Sequence, residues 1–171
     1  MSIVIGVDPG SRITGYGVLQ LDQKQAHYLA HGCVKTKGDD LADKLFQIFS
    51  ALDQVIMTYS PTVMVVEQVF FAKNAQSALK LGQARGAALT VAAKNGLQLV
   101  ELSAKQIKSG VVGYGAANKQ QVKQMVKILL GLKTAPQSDA ADALAAALCY
   151  CQQQPMLNRL GRAKVTAGEG S

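Results

Sequence analysis

The stretch that decides the fold is Ile3-Val4-Ile5-Gly6-Val7-Asp8-Pro9-Gly10-Ser11. Its β-branched, apolar run is typical of a buried strand, and Pro-Gly marks the turn that ends it. Asp8 therefore lies at the carboxyl end of a strand, where open α/β sheets place their functional sites. An Asp before Pro-Gly can also simply cap a turn.

The same pattern returns further along the chain. Residues 62–67 form a second apolar run that also ends in a carboxylate, Glu67. Residues 13–21 and 26–34 predict two further strands, and residues 97–101 a fifth. With helices between the later strands, we expect a mixed five-stranded α/β sheet with helices on both faces. Right-handed crossovers then place the fourth strand beside the first, so that Asp8 and Glu67 lie at the same edge.

Two predicted helices carry unusual patterns. In the helix predicted over residues 74–95, Ala78, Gly82 and Gly86 share one face, which suggests close approach to the sheet, a ligand or a second subunit. The final helix, from Asp139 to about Cys151, is rich in alanine nearly all round, a pattern typical of a buried helix. Its only acids, Asp139 and Asp142, share one face of the first turn. They could complement the helix dipole, but buried acids need a partner.

Size and composition limit the possible classes of protein. The chain has 171 residues, enough for one domain, and no apolar run reaches membrane-spanning length. Because strand-like sequence begins at Ile3, we expect no signal peptide. Three cysteines without framework spacing indicate structural thiols in a reducing compartment, and we expect a cytoplasmic protein.

Residues 110–115 are read as a glycine-rich loop. Residues 1–153 form the predicted domain, and residues 154–171 a disordered tail.

The positive charge is concentrated in the middle of the chain. Residues 61–135 carry ten Lys or Arg and two acids, whereas residues 1–60 have net charge −1 and residues 136–171 have net charge 0. This separation suggests a polyanionic partner, above all nucleic acid.

Four acids, Asp8 and Glu67 at the strand ends and Asp139 and Asp142 at the start of the final helix, could form one anionic cluster, and such a cluster suggests metal chemistry. Like charges at close range repel each other, and a divalent cation relieves that repulsion. Ligation by oxygen alone suits Mg²⁺, or Mn²⁺ in its place, rather than zinc. Two such ions can clamp the attacking and leaving oxygens of an in-line phosphoryl displacement. Beside a basic surface, such a cluster predicts a nuclease.

Four segments in order then resemble the bacterial RuvC family of Holliday junction resolvases. They are Val7 to Gly17 (VDPGSRITGYG), Glu67 to Asn74 (EQVFFAKN), Ala78 to Gly86 (ALKLGQARG) and Ala135 to Ala145 (APQSDAADALA). The resemblance covers residues 2 to about 150. It implies a ribonuclease H-like fold and a homodimeric endodeoxyribonuclease that nicks two opposed strands of a four-way junction, in recombination and repair. It also implies a branch-migration motor and a junction-binding protein as partners.

The family's functional positions can be carried over residue by residue. Its four acidic positions fall on Asp8, Glu67, Asp139 and Asp142. Its base-stacking aromatic falls on Phe70, and its basic contacts near the site fall on Lys108 and Lys119. Further DNA contacts are expected at Lys73, Asn74, Lys80 and Arg85, which belong to the matching segments.

Three other functions remain open on sequence alone. Actin- and sugar-kinase-like phosphotransferases also open with a strand and an Asp, although they need two such domains and nothing after residue 60 repeats the motif. A DNA-binding module without catalysis explains the charge but not Asp139 and Asp142. A related nuclease that acts on RNA or on hybrids would share the two-metal chemistry.

Overall fold

In a computed structural model of the protein, the described residues are 1–22, 25–69 and 74–167, with side chains up to residue 154. They form a five-stranded sheet of order β3-β2-β1-β4-β5. The strands are β1 (Ser2–Asp8), β2 (Ile13–Asp22), β3 (Gln25–Lys35), β4 (Val63–Glu67) and β5 (Gln98–Leu102). The first three pair antiparallel, and β4 runs parallel to β1 and to β5. The expected mixed sheet, with the fourth strand beside the first, is confirmed.

Five helices cover the two faces of this sheet. They are α1 (Leu41–Tyr59), α2 (Ala75–Lys94), α3 (Ala104–Val112), α4 (Lys119–Leu129) and α5 (Ser138–Ala167). Strand alternation divides the core, because Val4 and Val65 point toward α3, α4 and α5, whereas Ile5 and Met64 point toward α1 and α2. None of the helices in the described ranges combines the length and apolar character that a bilayer crossing needs.

Helix α5 packs directly on the sheet against β1 and β2. Glycines make this approach possible: a Cβ at Gly6 would overlap the carbonyl of Ala143, and one at Gly17 would overlap Leu144. The alanine-rich sequence of α5 is the other half of this contact, since small side chains let two backbones come close. Residues 140, 141 and 143–149 are accordingly all buried.

Two predictions about helices are wrong in part. Residues 110–112 belong to α3 instead of a loop. A Cβ at Gly110 would collide with Cys149, so the glycine at this position allows α3 to pack closely against α5. Helix α5 continues past the predicted end near Cys151, up to Ala167, and disorder of the tail from residue 154 stays a prediction. The domain boundary at residue 153 stays a prediction.

The glycine stripe of α2 does not approach the sheet. Its buried face consists of Ala84, Ala88, Val91 and Ala92, which pack toward α1 and the sheet. Gly82 and Gly86 lie on the exposed side, where an added Cβ would meet nothing within 4 Å. Of the three partners considered from the sequence, the sheet is therefore excluded, and a ligand or a second subunit remains.

Candidate active site

A cleft opens at the carboxyl edge of the sheet, where β1 and β4 end side by side. Asp8 is the last residue of β1 and Glu67 the last of β4. The cleft has a volume of about 380 Å³, and its charged lining residues are Asp8, Glu67, Asp142, Lys108 and Lys119. Three of the four predicted acids therefore line one cavity together with both predicted basic residues.

The turn after Asp8 is fixed by a buried hydroxyl. Thr14 is completely buried, and its Oγ1 accepts a hydrogen bond from the Gly10 amide at 3.2 Å and donates one to the Gly10 carbonyl at 2.9 Å. These two bonds hold the Pro9-Gly10 bend closed directly behind Asp8. This role of Thr14 was not predicted from the sequence, although the motif contains the spacing of four residues between Gly10 and Thr14.

The acids of α5 reach the site because the first turn of the helix rests on β2. Gly15 pairs with Asp8 across β1 and β2, and a Cβ on Gly15 would overlap the carbonyl of Asp139. Asp142 then points into the cleft, whereas Asp139, one turn earlier, is not among the lining residues. Asp139 is nevertheless close enough to act on the charge of Asp8.

Burial of negative charge dominates the electrostatics of the cleft. Desolvation is the largest cause that raises the pKa of Asp8, to about 7 from the ordinary 3.8. The carboxylates of Asp142, Asp139 and Glu67 raise it further, and the Lys119 ammonium lowers it. Desolvation also raises the pKa of Glu67, followed by repulsion from Asp142. The site therefore holds carboxylates at a cost that a nearby cation would relieve.

Lys119 supplies one such positive charge. Its Nζ lies 3.3 Å from Oδ2 of Asp142, and the Asp142 carboxylate is the main cause that raises the pKa of Lys119. The Lys119 side chain is 79% exposed, whereas that of Asp142 is 25% exposed. An ion pair this open to water contributes at most about 1 kcal/mol to stability. A divalent cation could therefore replace Lys119 beside Asp142 without much loss of stability.

The donor chemistry of the cleft suits a hard divalent cation. The lining residues offer three carboxylates and include no thiol or imidazole, and carboxylate oxygens are the preferred ligands of Mg²⁺ and Mn²⁺. Among the described residues, no three His, Cys, Asp or Glu side chains are already arranged as a chelate. Side-chain rotation of the carboxylates would therefore accompany cation binding. The raised pKa of Asp8 favours such binding, because a cation would relieve the buried negative charge.

The remaining residues predicted to contact DNA lie in different surroundings. Asn74 caps α2, since its Oδ1 accepts a hydrogen bond from the Gln76 amide at 2.9 Å. Lys80 is exposed on α2, outside the cleft lining. Arg85 points inward, with a side chain only 15% exposed. Phe70 and Lys73 lie outside the described residues.

The raised pKa of Asp8 makes the metal-free protein less stable as the pH rises. Asp8 stabilises the folded state fully below pH 3.8, and this contribution is lost as the pH rises toward about 7, because the unfolded chain releases the proton first. Asp8→Asn has no such proton, so we expect it to be more stable than wild type at pH 8, by about 4 kcal/mol at most. At pH 4 the difference should be much smaller.

Urea unfolding of both proteins in a chelator, at pH 4 and pH 8, measures this difference. Asp22→Asn is the matched control, since Asp22 is exposed at the end of β2. Equal differences between Asp8→Asn and wild type at the two pH values would contradict the assignment.

Comparison with known proteins identifies relatives over almost the whole chain. The sequence profile described as "Crossover junction endodeoxyribonuclease RuvC" matches residues 4–150. The protein of that name from Shewanella oneidensis is 55% identical over 164 residues, 95% of each chain, and the one from Tolumonas auensis is 51% identical over 168 residues, 98% of this chain and 97% of its own.

A solved structure gives the same result in three dimensions. The structure described as "T. thermophilus RuvC in complex with Holliday junction substrate" superposes with a TM-score of 0.85 at 33% identity, over 91% of this chain and 96% of that chain. The ribonuclease H-like α/β fold expected from the sequence is thereby confirmed. With the profile match and the two bacterial relatives, this establishes that the chain belongs to the RuvC family of crossover junction endodeoxyribonucleases.

Proposed function

We propose that this protein resolves four-way DNA junctions by paired, symmetric nicks through metal-dependent in-line hydrolysis of phosphodiesters, in homologous recombination and DNA repair. One observation carries the proposal: a chain of this family brings Asp8, Glu67 and Asp142 into one cleft with Lys108 and Lys119. Carboxylates that can hold cations beside ammonium groups that can hold phosphate are the two halves of a nuclease site.

Asp8, Glu67, Asp139 and Asp142 are the proposed metal ligands and catalytic residues. Mg²⁺, for which Mn²⁺ would substitute, is the proposed cofactor, with two ions per site that supply Lewis-acid stabilisation of charge on the scissile phosphate. Asp8 is central to this arrangement because burial and then the carboxylates of Asp142, Asp139 and Glu67 all raise its pKa. Asp8 lies between two fixed backbone segments, the Pro9-Gly10 bend bonded to Thr14 and the first turn of α5 packed on β2.

The basic residues are proposed to hold the DNA backbone. Lys108 and Lys119 line the cleft beside the acids, so a phosphate could contact them while its ester bond lies over the carboxylates. Lys119 would release Asp142 if a cation took its place, and its ammonium could then pair with phosphate. Phe70 is proposed to stack on an unpaired base, which would contribute about 1–3 kcal/mol. Lys73, Asn74 and Lys80 are proposed as further contacts.

A homodimer is the proposed assembly, because paired nicks need two active sites. The stripe of α2 formed by the half-buried Ala78 and the exposed Gly82 and Gly86 supports it, since small residues on a helix face allow a second backbone to approach closely. The branch-migration motor and the junction-binding protein are proposed partners, and the cytoplasm is the proposed location. Residues 1–153 are proposed as the nuclease domain and residues 154–171 as a tail.

Gly82→Leu is expected to turn the dimer into a folded monomer. An added side chain at Gly82 meets nothing within its own chain, so the fold should tolerate it, whereas a second subunit packed on the stripe would be displaced. Sedimentation equilibrium reads the mass and thermal unfolding reads the fold. Gly82→Ala, which raises helix propensity by about 1 kcal/mol, is the matched control. A Gly82→Leu protein that still sediments as a dimer would show that the dimer interface lies elsewhere on the surface.

Cleavage of different substrates tests the proposed function against its rivals. The protein is incubated in Mg²⁺ with a four-way junction, a linear duplex and an RNA–DNA hybrid of the same sequence. We expect nicks in two opposed strands of the junction and little cutting of the other two. Preferential cutting of the hybrid would favour the hybrid nuclease, and tight junction binding without cutting would favour the non-catalytic module.

A further inference from the structure

Arg85 connects three elements behind the candidate active site. It lies on α2 next to the buried Ala84, and its guanidinium reaches the ends of β4 and β5. Nη1 donates a hydrogen bond to the backbone carbonyl of Glu67 at 2.9 Å, and Nη2 lies 2.7 Å from Oε1 of Glu101. Both ends of the planar guanidinium are thereby engaged inside the protein, although the sequence suggested a DNA contact.

The Glu67 carbonyl is a sensitive point because β4 ends there. Glu67 pairs with Leu102 in the sheet, the Gln68 amide donates to the Leu102 carbonyl at 2.8 Å, and the chain then leaves the sheet. The segment that follows has the cleft on one side and Arg85 on the other: Gln68 and Val69 line the cleft and also a second cavity that Arg85 and Glu101 complete. A shift of this backbone would therefore move the Glu67 carboxylate.

We propose that Arg85 and Glu101 are positioning residues for Glu67, which fix the end of β4 from behind so that its carboxylate faces the cleft at a set angle. This inference rests on the proposed nuclease function. Arginine suits the task because its rigid fork donates in two directions at once, whereas a lysine ammonium on a flexible stem does not hold both partners in one plane. Glu101, which is 41% exposed, orients the guanidinium. An ion pair this exposed contributes little to overall stability, so the main effect falls on geometry.

The role predicts a separation between DNA binding and chemistry. In Arg85→Lys and Glu101→Gln we expect junction affinity in a chelator to stay within about twofold of wild type, because no DNA contact is lost. The cleavage rate at saturating junction should fall about 10- to 100-fold in Arg85→Lys, the size of effect that a misplacement of about 1 Å produces. It should fall less in Glu101→Gln, in which the amide oxygen can still accept a hydrogen bond.

Metal affinity supplies a readout that does not depend on catalysis. Isothermal titration of Mn²⁺ into the protein without DNA should show weaker binding in Arg85→Lys, by about tenfold, if Glu67 no longer faces the cation. Lys94→Gln is the matched control: Lys94 is also a cation of α2 in an ion pair, with Asp53, but at the far end of the helix. Its Mn²⁺ affinity and cleavage rate should equal those of wild type.

Two results would overturn the inference. If Arg85→Lys weakens junction binding in a chelator and leaves the rate at saturating junction unchanged, Arg85 is a DNA contact. If neither Arg85→Lys nor Glu101→Gln changes Mn²⁺ affinity or rate, the pair does not position Glu67. A wild-type protein that binds Mn²⁺ but does not cut junctions would instead contradict the proposed function, and the Mn²⁺ titrations would still test the positioning role. Glu101→Gln keeps the test valid if Arg85→Lys does not fold.

Discussion

Asp8→Asn is expected to lower the rate of junction cleavage about a thousandfold and to leave junction binding intact or tighter. Removal of a proposed metal ligand should forfeit several kcal/mol of charge stabilisation, and each 1.4 kcal/mol is a factor of ten in rate. Binding should not suffer, because the amide removes a negative charge from a surface that meets phosphates. Single-turnover cleavage and an electrophoretic binding assay in a chelator measure the two effects separately.

The control for this prediction is Asp22→Asn, the same change at the exposed end of β2, which should alter neither cleavage nor binding. Parallel loss of cleavage and binding in Asp8→Asn would mean that Asp8 maintains the fold of the site, and unchanged cleavage would remove it from the mechanism. Since Asp8→Asn is also expected to stabilise the metal-free protein at pH 8, misfolding can be recognised directly.

Gly15→Ala is expected to have the second-largest effect, because one methyl group would separate α5 from the sheet at the active site. The new Cβ would overlap the Asp139 carbonyl, and both overlapping groups are backbone or attached directly to it. Something must therefore shift, at a cost of about 1–3 kcal/mol in stability. A displacement of the first turn of α5 also moves Asp139 and Asp142 relative to Asp8, and cleavage should fall about a hundredfold.

Gly32→Ala is the matched control for this change. A Cβ there meets the hydroxyl end of the Tyr16 ring, a side chain that can rotate away, on a part of β3 that does not line the cleft. Stability and cleavage should therefore change little. Thermal unfolding and single-turnover rates distinguish the two variants, and a Gly15→Ala enzyme as active as wild type would mean that α5 can move without disturbing the acids.

The sheet and its two strand-end acids could be predicted from the sequence for a simple reason. Apolar runs that end in a carboxylate define both the strand and its end, and the right-handed crossover rule leaves one neighbour for β1. The order β3-β2-β1-β4-β5 then brings Asp8 and Glu67 to one edge. Asp142 could also be predicted as a site residue from the sequence, because an acid on an otherwise alanine-rich helix has few explanations.

What the sequence did not disclose depends on contacts between distant residues. Gly110 looked like part of a loop because local propensity treats glycine as a helix breaker, whereas its role is to make room for Cys149. Arg85 looked like one more surface cation, and only the folded chain brings its guanidinium to the Glu67 carbonyl. The glycines of α2 indicated close packing but not the partner, because the residues of a helix face do not identify what packs against it.

The central claim is that the carboxylates at the edge of the sheet form a divalent cation site, and anomalous diffraction from crystals soaked in Mn²⁺ tests it most directly. We predict an anomalous peak in the cleft, in contact with Asp8 and with Glu67 or Asp142, with Lys119 displaced from Asp142. The same soak of Asp8→Asn crystals should show no peak at that position. Mn²⁺ bound only elsewhere on the wild-type protein, or a peak that survives in Asp8→Asn, would contradict the account.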